Sequence, residues 1–185
     1  MTVFVTIPYA SFFEWLLHKY VMHRPIFGFL YAYRAHAQVH HGIFRADHSY
    51  HLHKEEDKWT IPMAWWNSVV LVPLASSPFI IIGWALESLA IPITAFVVIY
   101  MYYGVYEVLH WCMHLPKKRR VEFWRIFQWL NGHHVLHHRY TGRNFNVVFP
   151  LADWCLGTLL LLAPQPFNQV RGIGVPSVQP KPAKN

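Results

Sequence analysis

Of 185 residues, 54% are hydrophobic, 17% aromatic and only 14% charged, against roughly 25% charged in an ordinary soluble domain. So few polar side chains cannot clothe a free-standing globule of this length, and a disordered, collagen-like or disulfide-stapled chain is excluded as well. The formal charge of +7 comes from 16 basic and nine acidic residues, and 14 histidines are the oddest entry in the composition. The balance points to a membrane.

The first apolar stretch, Val3 to Leu17, contains Pro8 and Glu14 and is shorter than the roughly 20 residues of a full span. It has no basic n-region and no small-residue cleavage site, so it does not read as a signal peptide. Either the helix continues through His18 towards Met22, or the segment is half-embedded. Thr60 to Glu87 carries no Lys, Arg, Asp or Glu between its two ends, and Ser88 to Val105 carries none at all. Each is long enough, at about 1.5 Å per residue, to cross or nearly cross a hydrocarbon core of about 30 Å. Thr60 followed by Pro62 predicts a helix start, and Pro73 and Pro78 predict kinks. The connection near Trp84 to Ile91 is short, which makes the pair a helical hairpin. Leu151 to Leu162 is too short to span and is expected at the interface. Residues 1–163 then form one membrane domain and residues 164–185 a loose, Pro-rich tail. The expected fold is all-α: a membrane helical bundle with a transmembrane hairpin and a histidine-rich helical cap.

A hairpin returns the chain to the side it left. The flanks hold Lys54, Lys58 and the run Lys117, Lys118, Arg119 and Arg120, whereas the tip holds no base. That asymmetry predicts both flanks in the cytoplasm, whether the bilayer is a bacterial inner membrane or the endoplasmic reticulum. These bases hug the spans rather than a soluble face with interleaved aromatics, so a nucleic-acid partner is not expected.

The histidines cluster in those flanks: HKYVMH (His18 to His23), HAQVHH (His36 to His41), HSYHLH (His48 to His53), HWCMH (His110 to His114) and HHVLHH (His133 to His138). On an α-helix, residues three or four apart share a face. His110 then projects with His114, His36 with His40, and His134 with His137 and His138. His18 and His23, five apart, diverge by about 140° on an ideal helix, so they serve different ions or the helix ends between them. Several imidazoles converging from separate helices suit iron, zinc or copper, and without a Cys pair an all-thiolate site is impossible. His48, His51 and His53 read as a polar loop ahead of Lys54.

This order of boxes around a hairpin resembles the fatty acid hydroxylase/sterol desaturase superfamily of membrane dimetal oxygenases, over about residues 14 to 158. YEVLHWCMH (Tyr106 to His114) is similar to the segment bearing the HX3H box of fatty acid 2-hydroxylases. PLADWCLGT (Pro150 to Thr158) resembles the closing signature of the sterol desaturase branch. The second box is HX3HH here, where that family more often shows HX2HH.

The resemblance implies that His18, His23, His36, His40, His41, His110, His114, His134, His137 and His138 hold two iron ions, with zinc as a substitute. It implies O2-dependent hydroxylation or desaturation of an unactivated C–H bond in a lipid such as a fatty acyl chain or sterol. Glu14, Glu107 and Asp153 are expected to orient the imidazoles, and Asn144 to act through a water. No G-x-G-x-x-G follows a strand, so electrons are expected from a separate donor, cytochrome b5-like or ferredoxin-type, docked on the Lys117 to Arg120 face. Two other readings stand beside this one. One is a non-catalytic metal-binding membrane protein or a transporter, of which a transporter would place its ligands at mid-bilayer; the other is a carotenoid hydroxylase, which shares the HX4H and doublet boxes but fits the NFN and ADWCLGT stretches less well.

Overall fold

The computed structural model of the protein describes residues 1–26 and 28–161, and every regular element among them is helical. Helix α1 (Thr2–Leu17) runs straight into a π-helical turn, π1 (His18–Met22). The N-terminal stretch therefore takes the continuous course to Met22. The second box lies on another unbroken rod: α2 (Tyr31–Tyr33), π2 (Arg34–His40) and α3 (His41–Ile43). Two 3-10 turns, at His48–Tyr50 and Glu55–Thr60, lead to the long helices α4 (Trp66–Ala85) and α5 (Ala90–His114).

Those two helices form the expected hairpin. Val72, Ala75 and Phe79 of α4 interlock with Ala95 and Ile99 of α5, and Tyr9 and Phe13 of α1 pack against the same cluster. Near the tip the helices approach so closely that a Cβ on Gly83 would lie 2.5 Å from Pro92 Cδ and 2.9 Å from the Ser88 carbonyl oxygen. Only glycine fits there. Outward faces are apolar, with Val69, Ile80, Ile81, Trp84, Ile93, Val97 and Met101 all exposed. Both helices are long and apolar enough to cross a membrane.

The helix start predicted at Thr60 and Pro62 is displaced to Trp66. The Thr60 hydroxyl caps its own 3-10 turn by donating to the Asp57 carbonyl at 2.6 Å, so it cannot serve a following helix. Helix α4 runs through both prolines. Pro78 has no N–H to offer the Leu74 carbonyl, and the Ser77 hydroxyl donates to that oxygen instead, at 2.8 Å.

Beyond α5, the turn Arg120–Phe123 precedes α6 (Arg125–Arg139), which buries Phe127, Leu130, Leu136 and four histidines on its inner face. The last apolar run is largely irregular over its described residues. Only α7 (Leu151–Cys155) is helical, a single turn held against α1. There the Ser11 hydroxyl donates to the Phe149 carbonyl and accepts from the Ala152 amide, and the Trp15 indole donates to Thr158 Oγ1 at 2.8 Å. The expected domain boundary at 163/164 and the tail beyond it lie outside the described residues.

Candidate metal centre

The ten histidines singled out by spacing meet in two groups of five: His18, His23, His36, His41 and His137, and His40, His110, His114, His134 and His138. Within each group one ring nitrogen from every member lies within 4.8 Å of all the others, so each could hold a metal ion. The groups adjoin through three near-parallel ring pairs: His36–His40, His134–His137 and His41–His138, with centroids 5.2, 5.8 and 4.2 Å apart.

Two local backbone features produce this sorting. In π1 the His23 amide donates to the His18 carbonyl, an i→i+5 closure, which sets residues five apart one above the other. His18 and His23 therefore join one group, and the divergence expected on an α-helix does not occur. In π2 the His41 amide closes on the His36 carbonyl in the same way. His36 goes with His41, and His40, expected on the face of His36, turns to the other group. On α6 the i, i+4 pair His134 and His138 stays together, while His137 crosses to the first group. His110 and His114 share a group, as α5 periodicity requires.

Hydrogen bonds decide which ring nitrogen faces inward. A carbonyl oxygen can only accept, so a ring nitrogen bonded to one must carry the proton. His40 Nδ1 donates to the Thr60 carbonyl at 3.2 Å, His114 Nδ1 to Tyr50 at 2.8 Å, His137 Nδ1 to Arg143 at 2.8 Å and His138 Nδ1 to Phe44 at 2.6 Å. His18 Nδ1 donates to the Phe145 carbonyl. The Nε2 atoms of these five rings are then bare lone pairs. They nevertheless crowd other imidazole nitrogens at 2.8–3.2 Å. His134 Nε2, at 3.1 Å from both His114 and His138 Nε2, has at most one proton to share between them. Lone pairs converging in this way could be answered by a cation. Burial keeps the rings neutral and ready to ligate: it pushes His23 and His40 down to about 4. Burial, with the repulsion a proton on His137 would meet from a protonated His23, pushes His137 down to about 3.

The four carboxylate and amide residues expected around the imidazoles stand one step further out. Glu14 reaches no histidine. It accepts from Tyr102 Oη at 2.7 Å, Asn146 Nδ2 at 3.1 Å and the Val147 amide at 2.6 Å, because its side chain faces α5 and the loop after α6. Asp153 meets His133 at 3.3 Å, accepts from the amides of Phe145 and Asn146 and takes the Thr158 hydroxyl. Burial alone would raise the Asp153 carboxyl, but these donors outweigh it and hold the group below the usual carboxylate range. Asn144, at φ 55, spends its amide on the carbonyls of His133 and Leu160 and on the Leu160 N–H, so it faces no ion. Glu107 accepts from the Met63 amide at 3.3 Å. Main-chain carbonyls orient the rings in their place. The His53 ring donates to the His48 carbonyl within their own loop, and His51 meets Tyr50 edge-on.

Spacing gave no sign of two further features. His133 is buried on α6 outside both groups, and its adjacency to the HX2HH box concealed a different partner, Asp153. A cavity of about 1030 Å³ between α1, α2, π2, α4 and α5 receives His18 and His36 from one group and His40 and His110 from the other. Most of its wall is hydrocarbon and aromatic, including Phe13, Leu17, Trp66, Leu71 and Ile99. Compared with protein-family models, with curated proteins and with solved structures, the chain has no match.

Proposed function

We propose that the chain is an integral-membrane oxygenase. It holds two iron ions and hydroxylates or desaturates an unactivated C–H bond of a lipid, using O2 and electrons from a separate donor. One observation carries this reading: two five-histidine groups send rings into a single large, mainly apolar cavity. Crowding within the groups favours iron over zinc. With metal–nitrogen bonds of roughly 2.1 Å, neighbouring ligands lie about 3.0 Å apart in an octahedron and about 3.4 Å in a tetrahedron. The nearest nitrogen pairs here sit at 2.8–3.2 Å, and all five of a group lie within 4.8 Å of one another.

Bound iron would supply the redox chemistry that activates O2. The chain does the rest. Hydrocarbon walls from α1, α4 and α5 accept a greasy substrate and exclude water. Carbonyls of Phe145, Arg143, Phe44, Tyr50 and Thr60 keep Nδ1 protonated and Nε2 pointed inward. The apolar outer faces of α4 and α5 suit a bilayer, with the basic flanks on the cytoplasmic side. Lys117, Lys118 and Arg120 are exposed and suit an acidic electron donor, whereas Arg119 is spent on Glu122 at 2.7 Å. His110 and His114 close α5 rather than interrupting it, which supports an enzyme over a transporter with ligands at broken mid-membrane helices.

The test is iron analysis of purified protein beside His110→Ala and His137→Ala, with mass spectrometry of lipids from expressing cells given isotopically labelled O2. About two irons per chain, falling in both variants, and labelled hydroxyl or new unsaturation in a lipid are expected. Full metal retention in both variants would refute the reading.

A further inference from the structure

The two histidine groups differ in how they are enclosed. All five rings of the group built on His40, His110, His114, His134 and His138 are buried, whereas His23 and His41 of the other group are only partly buried. Their supports differ too. The buried group takes carbonyls from three separate places, Phe44, Tyr50 and Thr60. The other takes both of its carbonyls from one short loop, Arg143 for His137 and Phe145 for His18.

That loop does not hold itself. Asp153 accepts from the amides of Phe145 at 2.9 Å and Asn146 at 2.7 Å. Glu14 accepts from the Val147 amide at 2.6 Å and from Asn146 Nδ2 at 3.1 Å. Asn146 Nδ2 also donates to the Ser11 carbonyl at 2.8 Å. Both carboxyl groups are buried, where an acceptor oxygen that lost these donors would be left unsatisfied at a cost in stability. They grip the loop from two helices, one from α1 and one from α7.

We infer that the two groups are unequal metal sites. The ion held by His18, His23, His36, His41 and His137 is the exchangeable one, and Asp153 and Glu14 control its retention as positioning residues acting through the 143–147 loop. The inference rests on reading both groups as metal sites. An ion leaves past the half-exposed rings of His23 and His41. The loop carbonyls slow that departure by keeping His18 and His137 aimed inward. Among the described residues no comparable shared support exists on the buried side, where losing one segment leaves the other two in place.

The experiment loads detergent-purified protein with Fe(II), adds excess chelator and follows ion release over time. Two phases of about one equivalent each are expected. Asp153→Asn should speed the fast phase by roughly tenfold or more, the scale on which outer partners tune affinity, and leave the slow phase alone. His23→Ala, at the exposed rim, should abolish the fast phase and keep the slow equivalent, which guards against a misfolded Asp153 variant. Tyr50→Phe, which breaks the 2.9 Å bond to Asn131 beside the buried group, should not touch the fast phase. Single-phase release of two ions, or equal acceleration of both phases by Asp153→Asn, would overturn the inference and leave the dimetal reading standing. Wild-type protein that binds no iron would overturn both.

Discussion

His36 and His41 stand five residues apart, yet their Nε2 atoms come within 3.1 Å of each other, because the helix between them is wound as a π-turn. The same device joins His18 to His23. Each π-turn points its first histidine and the residue five on at one centre, and π2 also frees His40, between them in sequence, to face the other. The HX3HH spacing of the second box is absorbed in this way.

Removing a histidine should therefore have an effect set by its group and not by its box. His36→Ala and His134→Ala should each lower bound metal by about one ion, although they lie in different boxes. His48→Ala and His53→Ala should leave the metal content unchanged, since neither ring belongs to a group and the His53 ring donates to the His48 carbonyl. Elemental analysis of the four purified variants checks this.

Acid should unfold the metal-free protein in a defined window. The neutral rings of His23, His40 and His137 have folded values of about 4, 4 and 3, below the ordinary 6.5. An unfolded chain then binds more protons than the folded one below pH about 6.5. Their stabilising contribution is complete above that pH and is lost progressively as pH falls towards 4 and below. Tryptophan fluorescence of the metal-free protein against pH should show the transition there, and loading with iron should move it to lower pH.

Gly83→Leu should open the tip of the hairpin. The added side chain would have to enter space already held by Pro92 and the Ser88 carbonyl, and overpacking of this kind costs about 1–3 kcal/mol. Thermal unfolding in detergent should shift down by several degrees, with iron content at low temperature unchanged, since the tip lies at the far end of α5 from His110 and His114.

Filling the cavity should separate substrate from metal. Ala32 lines it without belonging to either histidine group. Ala32→Phe is expected to cut lipid turnover about tenfold, equivalent to 1.4 kcal/mol, while both ions remain. Product analysis together with metal analysis of the same preparation tests the pair of outcomes.

Reversing the charges of Lys117 and Lys118 to glutamate should slow donor-supported turnover at low salt and have little effect at high salt, where screening hides the difference. Turnover with a small chemical reductant should be unaffected. Equal rates at low salt would remove the docking face.

The helical hairpin and all ten clustered histidines were legible in the chain, because charge-free runs and recurrent His spacing survive without knowledge of the tertiary structure. The division of the ten was not. Period-3.6 reasoning paired His36 with His40 and split His18 from His23, and π-winding reversed both. Carboxylates were expected to orient the rings, yet the carbonyls of Phe44, Tyr50, Thr60, Arg143 and Phe145 do so, and every residue carries a carbonyl whatever its letter. Asp153 was legible as a special residue but not as the clasp of a loop. The helix start at Thr60 failed for a similar reason, since a hydroxyl can cap the turn behind it as readily as the helix ahead.

A π-turn is a poor resting state for a backbone, with a wider bore and weaker hydrogen bonds than an α-turn. Those at His18–Met22 and Arg34–His40 each carry histidines of the two groups. If both groups hold ions as proposed, these two stretches are where the main chain would gain most by rewinding once the ions leave. Amide exchange at Lys19 to Met22 and Ala35 to Val39 will then act as a built-in gauge of how full the protein is.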